Sequence, residues 1–417
     1  MSKENVKSIE TRIVHLTAHD VDTGAIVPPL YLSTTFQQKE PGVATGGYEY
    51  SRSDNPTRNL LEQSVSAIEG SEETLGGDTR IYFHIGVAFS SGSAALLAVI
   101  LSLNANNKIV AGTDLYGGTH RFLQKIANEK LNIDTLYIDV DKHIDTKEIE
   151  NFSPSLIWIE SPSNPGLKVA DIGFFAELAH TVNGVLVVDN TFMTPYLQNP
   201  LKLGADVVVH SATKALNGHC DALLGIALTN SRVMHEKIKF MQNALGAVPS
   251  PIDCFLVLRG MKTLCVRMKR QSESAKFITC KLRQEAVEGI EEILYPDEHL
   301  KGARQELITR QHHMNLHGSM FSVVFNFFSK PQLFGFISNM AIFTLAESLG
   351  GVESLVQVPS LMSHSQMTAQ QRTRASISPF LVRFSVGLEN AQELFEDIQV
   401  ALQFALKFAP KFGTKNY

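Results

Sequence analysis

Between residues 81 and 230, short apolar runs alternate with amphipathic stretches of helical length. Each run has four or five residues, is rich in β-branched side chains and is almost continuously apolar, which is typical of strands buried on both faces. The repetition of strand, helix and strand predicts an α/β fold with a doubly wound, mostly parallel sheet flanked by helices. The predicted strands are 108–111, 136–140, 156–160, 185–189 and 207–211, and helix candidates are 118–130 and 173–182.

The two ends of the chain have a different pattern. Residues 1–65 are rich in turn formers and have little periodicity, so we expect an extended arm that packs on another surface, such as a second subunit. A second α/β unit begins near residue 260 and ends in an amphipathic helix around 394–408. We therefore predict an arm over 1–65, a large ligand-binding domain over 66–259 and a smaller C-terminal domain over 260–417.

Composition and charge exclude several functional classes. A net charge of −5 gives no general attraction to nucleic acid or to an anionic membrane. The basic cluster 259–270 is interpreted as a solvated helix face. His312, His313 and His317 have no acidic or thiol partner beside them in the sequence, so they are interpreted as a solvated loop and no metal is predicted. The longest apolar run, 94–101, is too short to cross a bilayer. Four scattered cysteines favour reduced thiols and a cytoplasmic location.

Polar residues follow three of the predicted strands, where a sheet of this kind binds ligands. A lysine beyond a strand end is usually an ordinary surface residue, but Lys214 is flanked by the hydroxyl groups of Ser211 and Thr213. Asp189 ends a buried strand and needs a partner, which is a helix N-terminus, an arginine or a protonated pyridine nitrogen. The small residues of 90–95 lead into an apolar helix, an arrangement that can bind a phosphate.

Five long motifs resemble the Cys/Met-metabolism family of pyridoxal-phosphate enzymes, and the resemblance runs from about residue 26 to 402. It implies a fold-type-I pyridoxal-phosphate transferase fold, the cofactor pyridoxal 5'-phosphate, a small amino-acid substrate and a homotetramer built from two catalytic dimers. The motifs are 48–58 (YEYSRSDNPTR), 188–196 (VDNTFMTPY), 211–221 (SATKALNGHCD), 346–354 (AESLGGVES) and 381–389 (LVRFSVGLE).

The resemblance also implies a role for each matching position. Lys214 is expected to be the Schiff-base lysine and the proton shuttle, and Tyr116 is expected to stack on the ring and assist departure of the thiol. Tyr50 and Arg52 are expected to reach the phosphate from the neighbouring subunit. The implied cofactor-binding residues are Tyr50, Arg52, Gly92, Ser93, Tyr116, Asn164, Asp189, Ser211, Thr213 and Lys214. The implied substrate-binding residues are Glu49, Asn164, Glu347, Ser348 and Arg383.

Within the family, the resemblance implies a carbon–sulfur lyase that converts L-cystathionine to cysteine, 2-oxobutanoate and ammonia. Synthesis of cystathionine from activated homoserine, and γ-elimination from methionine, remain open. Glu49 and Ser53 differ from the residues that bacterial synthases tend to carry, and Gly118 lies where methionine-cleaving members usually have cysteine. Two features depart from the family pattern: an apparent insertion at 72–85, and Ser93 in place of an apolar residue.

Overall fold

The computed structural model describes residues 8–17, 19–70, 72–74, 82–84, 86–103, 107–297, 299–327 and 329–407. Its strands form one large sheet, one smaller sheet and two short hairpins. The strands are β1 (Gln38–Glu40), β2 (Val43–Ala44), β3 (Glu72–Thr74), β4 (Tyr82–His84), β5 (Gly86–Phe89), β6 (Lys108–Gly112), β7 (Asp134–Ile138), β8 (Leu156–Glu160), β9 (Val185–Asp189), β10 (Val207–Ser211), β11 (Gly225–Thr229), β12 (Ile290–Leu294), β13 (Met320–Phe325), β14 (Thr344–Leu345), β15 (Leu355–Gln357) and β16 (Leu381–Ser385).

The helices lie on both faces of the large sheet and on the smaller one. They are α1 (Ile9–Val14), α2 (Pro56–Glu69), α3 (Gly92–Ser102), α4 (Gly117–Phe122), α5 (Glu129–Leu131), α6 (Thr146–Phe152), α7 (Ile172–Thr181), α8 (Thr194–Leu197), α9 (Arg232–Leu245), α10 (Pro251–Met261), α11 (Leu264–Gln284), α12 (Ala303–Gln311), α13 (Lys330–Ser338), α14 (Ala369–Arg374) and α15 (Ala391–Lys407). A π-helical segment, Leu123–Asn128, joins α4 to α5. Two 3₁₀ turns are at Pro200–Leu203 and His313–Asn315.

The large sheet has seven strands in the order β5-β11-β10-β9-β8-β6-β7. Only β11 runs opposite to its neighbours, so the carboxyl ends of the other six strands meet at one edge. Both faces are covered by apolar side chains, with α3 on one face and α7 on the other. This explains why the central strands are apolar throughout rather than alternating. The predicted fold class, α/β with a mostly parallel sheet flanked by helices, is confirmed.

A second sheet, of five strands in the order β12-β13-β16-β15-β14, is antiparallel apart from the pairing of β14 with β15. Its core is aromatic, and the rings of Phe321 and Phe384 stack with centroids 4.7 Å apart. α11, α13 and α15 pack around this core. The second sheet presents the ends of β14, β15 and β16 towards the carboxyl edge of the large sheet, and a cavity lies between them.

One surface interpretation of the sequence is wrong, and a second holds for all but one residue. His312 and His317 are 4% and 3% exposed, with their Nδ1 atoms 3.1 Å apart, so they lie inside the protein and not in a solvated loop. In the basic cluster, Arg259, Lys269 and Arg270 are exposed on helices as expected, whereas Arg267 is buried. Of the expected insertion at 72–85, the structure describes only the backbone of the β3–β4 pair, and the rest lies outside the described residues. Among the described residues, no helix is long and apolar enough to span a membrane.

Candidate active site

A cavity of about 260 Å³ lies between the carboxyl edge of the large sheet and the second sheet. Eleven of the predicted site residues line it, namely Gly92, Ser93, Tyr116, Asn164, Asp189, Ser211, Thr213, Lys214, Glu347, Ser348 and Arg383. The other three, Glu49, Tyr50 and Arg52, lie on the exposed arm and do not line the cavity of their own chain. Arg52 donates through Nη1 to Asn243 Oδ1 at 2.7 Å.

Lys214 lies three residues beyond the end of β10 and projects into the cavity. Its Nζ donates a hydrogen bond to Ser348 Oγ at 2.9 Å. Burial, together with the positive charge of Arg383, lowers the pKa of Lys214 to about 8. A lysine with this pKa carries a substantial neutral fraction near neutral pH, so its amine can act as a nucleophile or a base.

The turn that carries Lys214 is held in place by Arg267, which is 3% exposed. The guanidinium donates to Ala215 O at 2.7 Å and to Gly260 O at 2.8 Å, linking the turn to α10. Gly218 ends the turn with φ +77°, and a Cβ there would lie 2.2 Å from Arg267 Nη1. The arginine can approach the backbone so closely only because this position is glycine.

Asp189 and Glu160 lie opposite each other at the ends of β9 and β8. Burial raises the pKa of both carboxyls, and the neighbouring Asp189 raises that of Glu160 further. Thr191 N donates to Asp189 Oδ1 at 2.9 Å, and both oxygens of Glu160 accept from Tyr116 N. Two adjacent carboxyl groups, Glu160 buried and Asp189 half-buried, make this end of the cavity favourable for a cationic group such as a protonated ring nitrogen.

The other end of the cavity is suited to an anion. Ser91 caps α3 by accepting from Ala94 N at 3.1 Å, and the helix begins at Gly92, so the backbone N–H groups of its first turn face the cavity rim. A Cβ at Gly92 would lie 3.0 Å from Ser211 Cβ, which shows how closely this turn approaches β10. Thr213 Oγ1 is hydrogen-bonded to Leu224, donating to its carbonyl at 3.2 Å and accepting from its N–H at 2.9 Å.

Tyr116 and Asn164 are positioned by residues behind them. His364 is buried, its pKa is lowered to about 4 by burial, and its Nε2 lies 2.9 Å from Leu115 O. A carbonyl only accepts, so in the neutral ring Nε2 carries the proton and Nδ1 accepts from Ser363. Asp114, whose pKa is raised to about 6 by burial, accepts from Gly166 N and so holds the turn that carries Asn164.

Arg383 brings a positive charge from β16 into the opposite wall of the cavity and is 3% exposed. It donates through Nη1 to Asn164 Oδ1 at 2.8 Å and through Nη2 to Ser348 O at 3.0 Å. Both acceptors are neutral, and no carboxylate of the described chain lies within ion-pair distance of it. A buried guanidinium that lines a cavity and has no carboxylate partner is suited to bind a carboxylate ligand.

Ser348 connects Lys214 with Arg383, because its hydroxyl accepts from the lysine and its carbonyl accepts from the arginine. Its φ is +100°, a conformation that costs free energy for a residue other than glycine. Such backbone strain is frequent at functional sites, and here it lets one residue face both cations. The sequence predicted Ser348 as a site residue but could not predict this conformation.

Several contributing residues received no role from the sequence. Glu160 ends a predicted strand just where a ligand was expected, so a signal for it existed. Arg267 and His364 act over 52 and 249 positions of sequence separation, and no local pattern marks them. Ser91, Thr191 and Gln357 also line the cavity.

Comparison with known proteins gives a consistent assignment. The family model described as Cys/Met metabolism PLP-dependent enzyme matches residues 10–403. A cystathionine gamma-lyase of Dictyostelium discoideum is 41% identical over 403 residues, covering 96% of this chain and 99% of the relative. The crystal structure of cystathionine gamma-lyase from yeast is 38% identical, covers 97% of this chain and 100% of that chain, and superposes with a TM-score of 0.86.

A second solved structure has the same fold and a different name. Cystathionine gamma synthase from Xanthomonas oryzae pv. oryzae, in complex with cystathionine, is 35% identical. It covers 96% of this chain and 99% of that chain, with a TM-score of 0.87.

The cavity fits pyridoxal phosphate. The Lys214 amine, with its lowered pKa, lies between the carboxyl groups at one end, which favour a cation, and the first turn of α3 at the other end, which favours an anion. Lys214, Asp189 and the first turn of α3 are the groups that would hold this cofactor. With the family match over residues 10–403, the chain belongs to the Cys/Met metabolism PLP-dependent enzymes, and pyridoxal phosphate is its cofactor.

Proposed function

We propose that the protein is a carbon–sulfur lyase that cleaves L-cystathionine by α,γ-elimination. With one water molecule, the substrate gives L-cysteine, 2-oxobutanoate and ammonia. The observation that carries the proposal is the arrangement of Lys214 and the buried Arg383 on either side of Ser348. An α-amino acid whose carboxylate binds Arg383 would present its Cα–H bond near the lysine amine. The name of the Dictyostelium relative supports the choice of substrate and reaction.

The roles of the residues follow from the cavity. When bound, pyridoxal phosphate supplies an electron sink for the electron pair left when the Cα–H bond breaks. Lys214 Nζ takes the proton from Cα and then moves a proton at Cβ, because its lowered pKa leaves a neutral fraction able to accept it. Asp189 would support a positive charge on the cofactor ring. Tyr116 would stack on the ring and assist departure of the thiol, while Asn164 would contact the ring hydroxyl.

The anion-favouring end would hold the phosphate. Gly92 and Ser93 offer backbone N–H groups, and Ser211 offers its hydroxyl. Thr213 can donate only if its hydroxyl leaves Leu224 O, to which it donates at 3.2 Å. At the substrate end, Arg383 would bind the carboxylate, with Ser348, Asn164 and Glu347 around it.

We further propose that the site is shared between two chains of a homotetramer built from catalytic dimers. Glu49, Tyr50 and Arg52 lie on the arm, where apolar side chains such as Val21 (90% exposed) and Ile26 (74% exposed) face outward. Exposed apolar side chains along an extended segment are stabilised when a second surface covers them. In such an assembly Tyr50 and Arg52 would bind the phosphate of the neighbouring site, and Glu49 would face its substrate.

The domain division 1–65, 66–259 and 260–417 is also a proposal. It is supported by the two sheets, which occupy separate stretches of the described chain, from β5 to β11 and from β12 to β16. A cytoplasmic location is proposed from the cysteine pattern, since none of the four cysteines, which all lie in described segments, forms a disulfide.

The decisive experiment incubates the purified holoenzyme with L-cystathionine and identifies the products. We expect 2-oxobutanoate and free cysteine in equal amounts. Pyruvate with homocysteine would show β-elimination and contradict the proposal. Condensation of cysteine with an activated homoserine, without elimination, would favour the synthase alternative, and release of methanethiol from methionine as the main reaction would favour the methionine-cleaving one.

A further inference from the structure

Gln357 is an unassigned residue of the cavity wall. It ends β15, lines the cavity and is 2% exposed. In the part of the chain that the structure describes, neither its Oε1 nor its Nε2 has a hydrogen-bond partner, although both atoms are buried. A buried side-chain amide whose oxygen and nitrogen both lack a hydrogen bond costs free energy, so it does not serve the stability of the ligand-free fold.

Gln357 lies directly opposite Arg383 in the antiparallel pairing of β15 with β16. Side chains at opposite positions project from the same face of a sheet, with Cβ atoms about 5 Å apart. Arg383 Nε is likewise buried without a partner among the described residues. This cross-strand pair therefore presents two unpaired donors, Gln357 Nε2–H and Arg383 Nε–H, to the same cavity. It also presents one unpaired acceptor, Gln357 Oε1.

These donors match an α-carboxylate. The contacts to Asn164 Oδ1 and Ser348 O occupy one N–H of each Arg383 Nη atom, so the guanidinium keeps further N–H groups for a ligand. A carboxylate has two oxygens with about four acceptor positions, more than one partly occupied guanidinium fills. The second donor at this wall is the Gln357 amide.

We propose that Gln357 is a substrate-binding residue whose amide Nε2–H donates to one oxygen of the substrate α-carboxylate while Arg383 binds the other. The amide Oε1 then accepts from Arg383 Nε–H, which fixes the guanidinium in its binding orientation. This assignment rests on the proposed carboxylate site at Arg383 and adds to it a residue that discriminates α-carboxylates from uncharged groups.

The test compares Gln357→Met with the unaltered holoenzyme, using glycine as a ligand that has an α-carboxylate and no γ-substituent. Binding is followed by the change in cofactor absorbance. We expect the Kd for glycine and the KM for L-cystathionine to rise about 10- to 100-fold, because a hydrogen bond to a charged group is lost. The kcat should change less than about threefold, and the melting temperature of the substrate-free enzyme should stay unchanged or rise.

Two further variants sharpen the test. Gln357→Glu places a negative charge where the substrate carboxylate binds, so its Kd for glycine should rise more than that of Gln357→Met. Gln332→Met is a matched control, because Gln332 is a buried glutamine on α13 outside the cavity. The control should alter melting temperature only.

An unchanged Kd for glycine in Gln357→Met would overturn the proposal. If the KM for cystathionine nevertheless rises, the amide lies beside the distal half of the substrate. If instead the melting temperature falls, Gln357 has a structural role. Glycine binding requires the carboxylate site but no elimination. An enzyme that binds glycine through Gln357 and forms no 2-oxobutanoate would therefore refute the proposed reaction alone.

Discussion

The two ends of the cavity are built on different principles. At the cofactor end, strand ends of the large sheet supply groups that already have partners, such as Asp189 with Thr191 N and Thr213 with Leu224. At the substrate end, the second sheet supplies Arg383 and Gln357, each of which has buried polar atoms without a hydrogen-bond partner among the described residues. At the cofactor end, most hydrogen bonds of these groups are made within the protein. At the substrate end, a ligand is needed to complete them.

This difference corresponds to how long each ligand stays. A resident cofactor can be held by a rigid, preformed frame, because it rarely leaves. A substrate must bind and depart in every cycle, so its site gains from groups whose hydrogen bonds are completed only on binding. The two ends should therefore respond differently to substitution: changes at the cofactor end should affect loading, and changes at the substrate end should affect KM.

The largest effect is expected for Lys214→Ala, since Lys214 lies between the two ends and serves both. Turnover of L-cystathionine should fall at least about 10³-fold, because the proton-transferring amine is lost. The far-ultraviolet circular dichroism should not change. Lys168→Ala removes a lysine that pairs with Asp139 outside the cavity and should retain activity. Normal turnover by the Lys214 variant would refute the assigned role.

Arg383→Met should act on the substrate end alone. Removing one member of a buried charge pair costs about 2–5 kcal/mol, so kcat/KM should fall roughly 30- to 1000-fold or more. The Kd for pyridoxal phosphate, measured by equilibrium dialysis, should change little. A comparable loss of cofactor affinity would show that the two ends are not independent.

Asp189→Asn should act on the cofactor end. A charge-assisted hydrogen bond to the ring nitrogen contributes about 1.5–3 kcal/mol, so the Kd for pyridoxal phosphate should rise roughly 10- to 100-fold. The fully loaded variant should bind glycine nearly as well as the parent enzyme. Asp171→Asn changes an aspartate outside the cavity and serves as the control. Equal affinity of Asp189→Asn and Asp171→Asn for pyridoxal phosphate would show that Asp189 does not contribute to cofactor binding.

The smallest effect is a shift in pH dependence. Only the neutral amine of Lys214 attacks the cofactor aldehyde, and its pKa is lowered to about 8. The rate of cofactor attachment to the apoenzyme should therefore rise with pH and level off above about 8. In Arg383→Met the midpoint should move upward, because a neighbouring positive charge is gone. A midpoint near the ordinary value for lysine would contradict the burial of this amine.

The sequence predicted the cofactor end better than the substrate end. Strands 156–160, 185–189 and 207–211 were predicted to the residue, because strands buried on both faces leave a continuous apolar run. β7 was placed two residues late, since the apolar pattern continues past its end at Ile138. The expected helix 118–130 is helical but contains the π-helical segment Leu123–Asn128, which no periodicity revealed.

Contacts between distant segments explain what was missed. Arg267 belongs to a run of basic residues that looks solvated, yet one of the carbonyls it binds, Ala215 O, belongs to the Lys214 turn, about fifty residues away. His312 and His317 are buried against segments such as Ser272 that a local pattern does not bring near them. Gln357 and Arg383 become neighbours only through the pairing of β15 with β16.

The position of β5 at the edge of the large sheet has a consequence for synthesis. β5 and the turn that follows it leave the ribosome early, but the partner of β5 in the sheet is β11, which is made about 140 residues later. The nascent chain must therefore keep an apolar strand unpaired until Gly225–Thr229 has emerged. A truncated chain ending before β11 would expose that strand and its unfinished phosphate-binding turn, and would be prone to aggregation and proteolysis during translation.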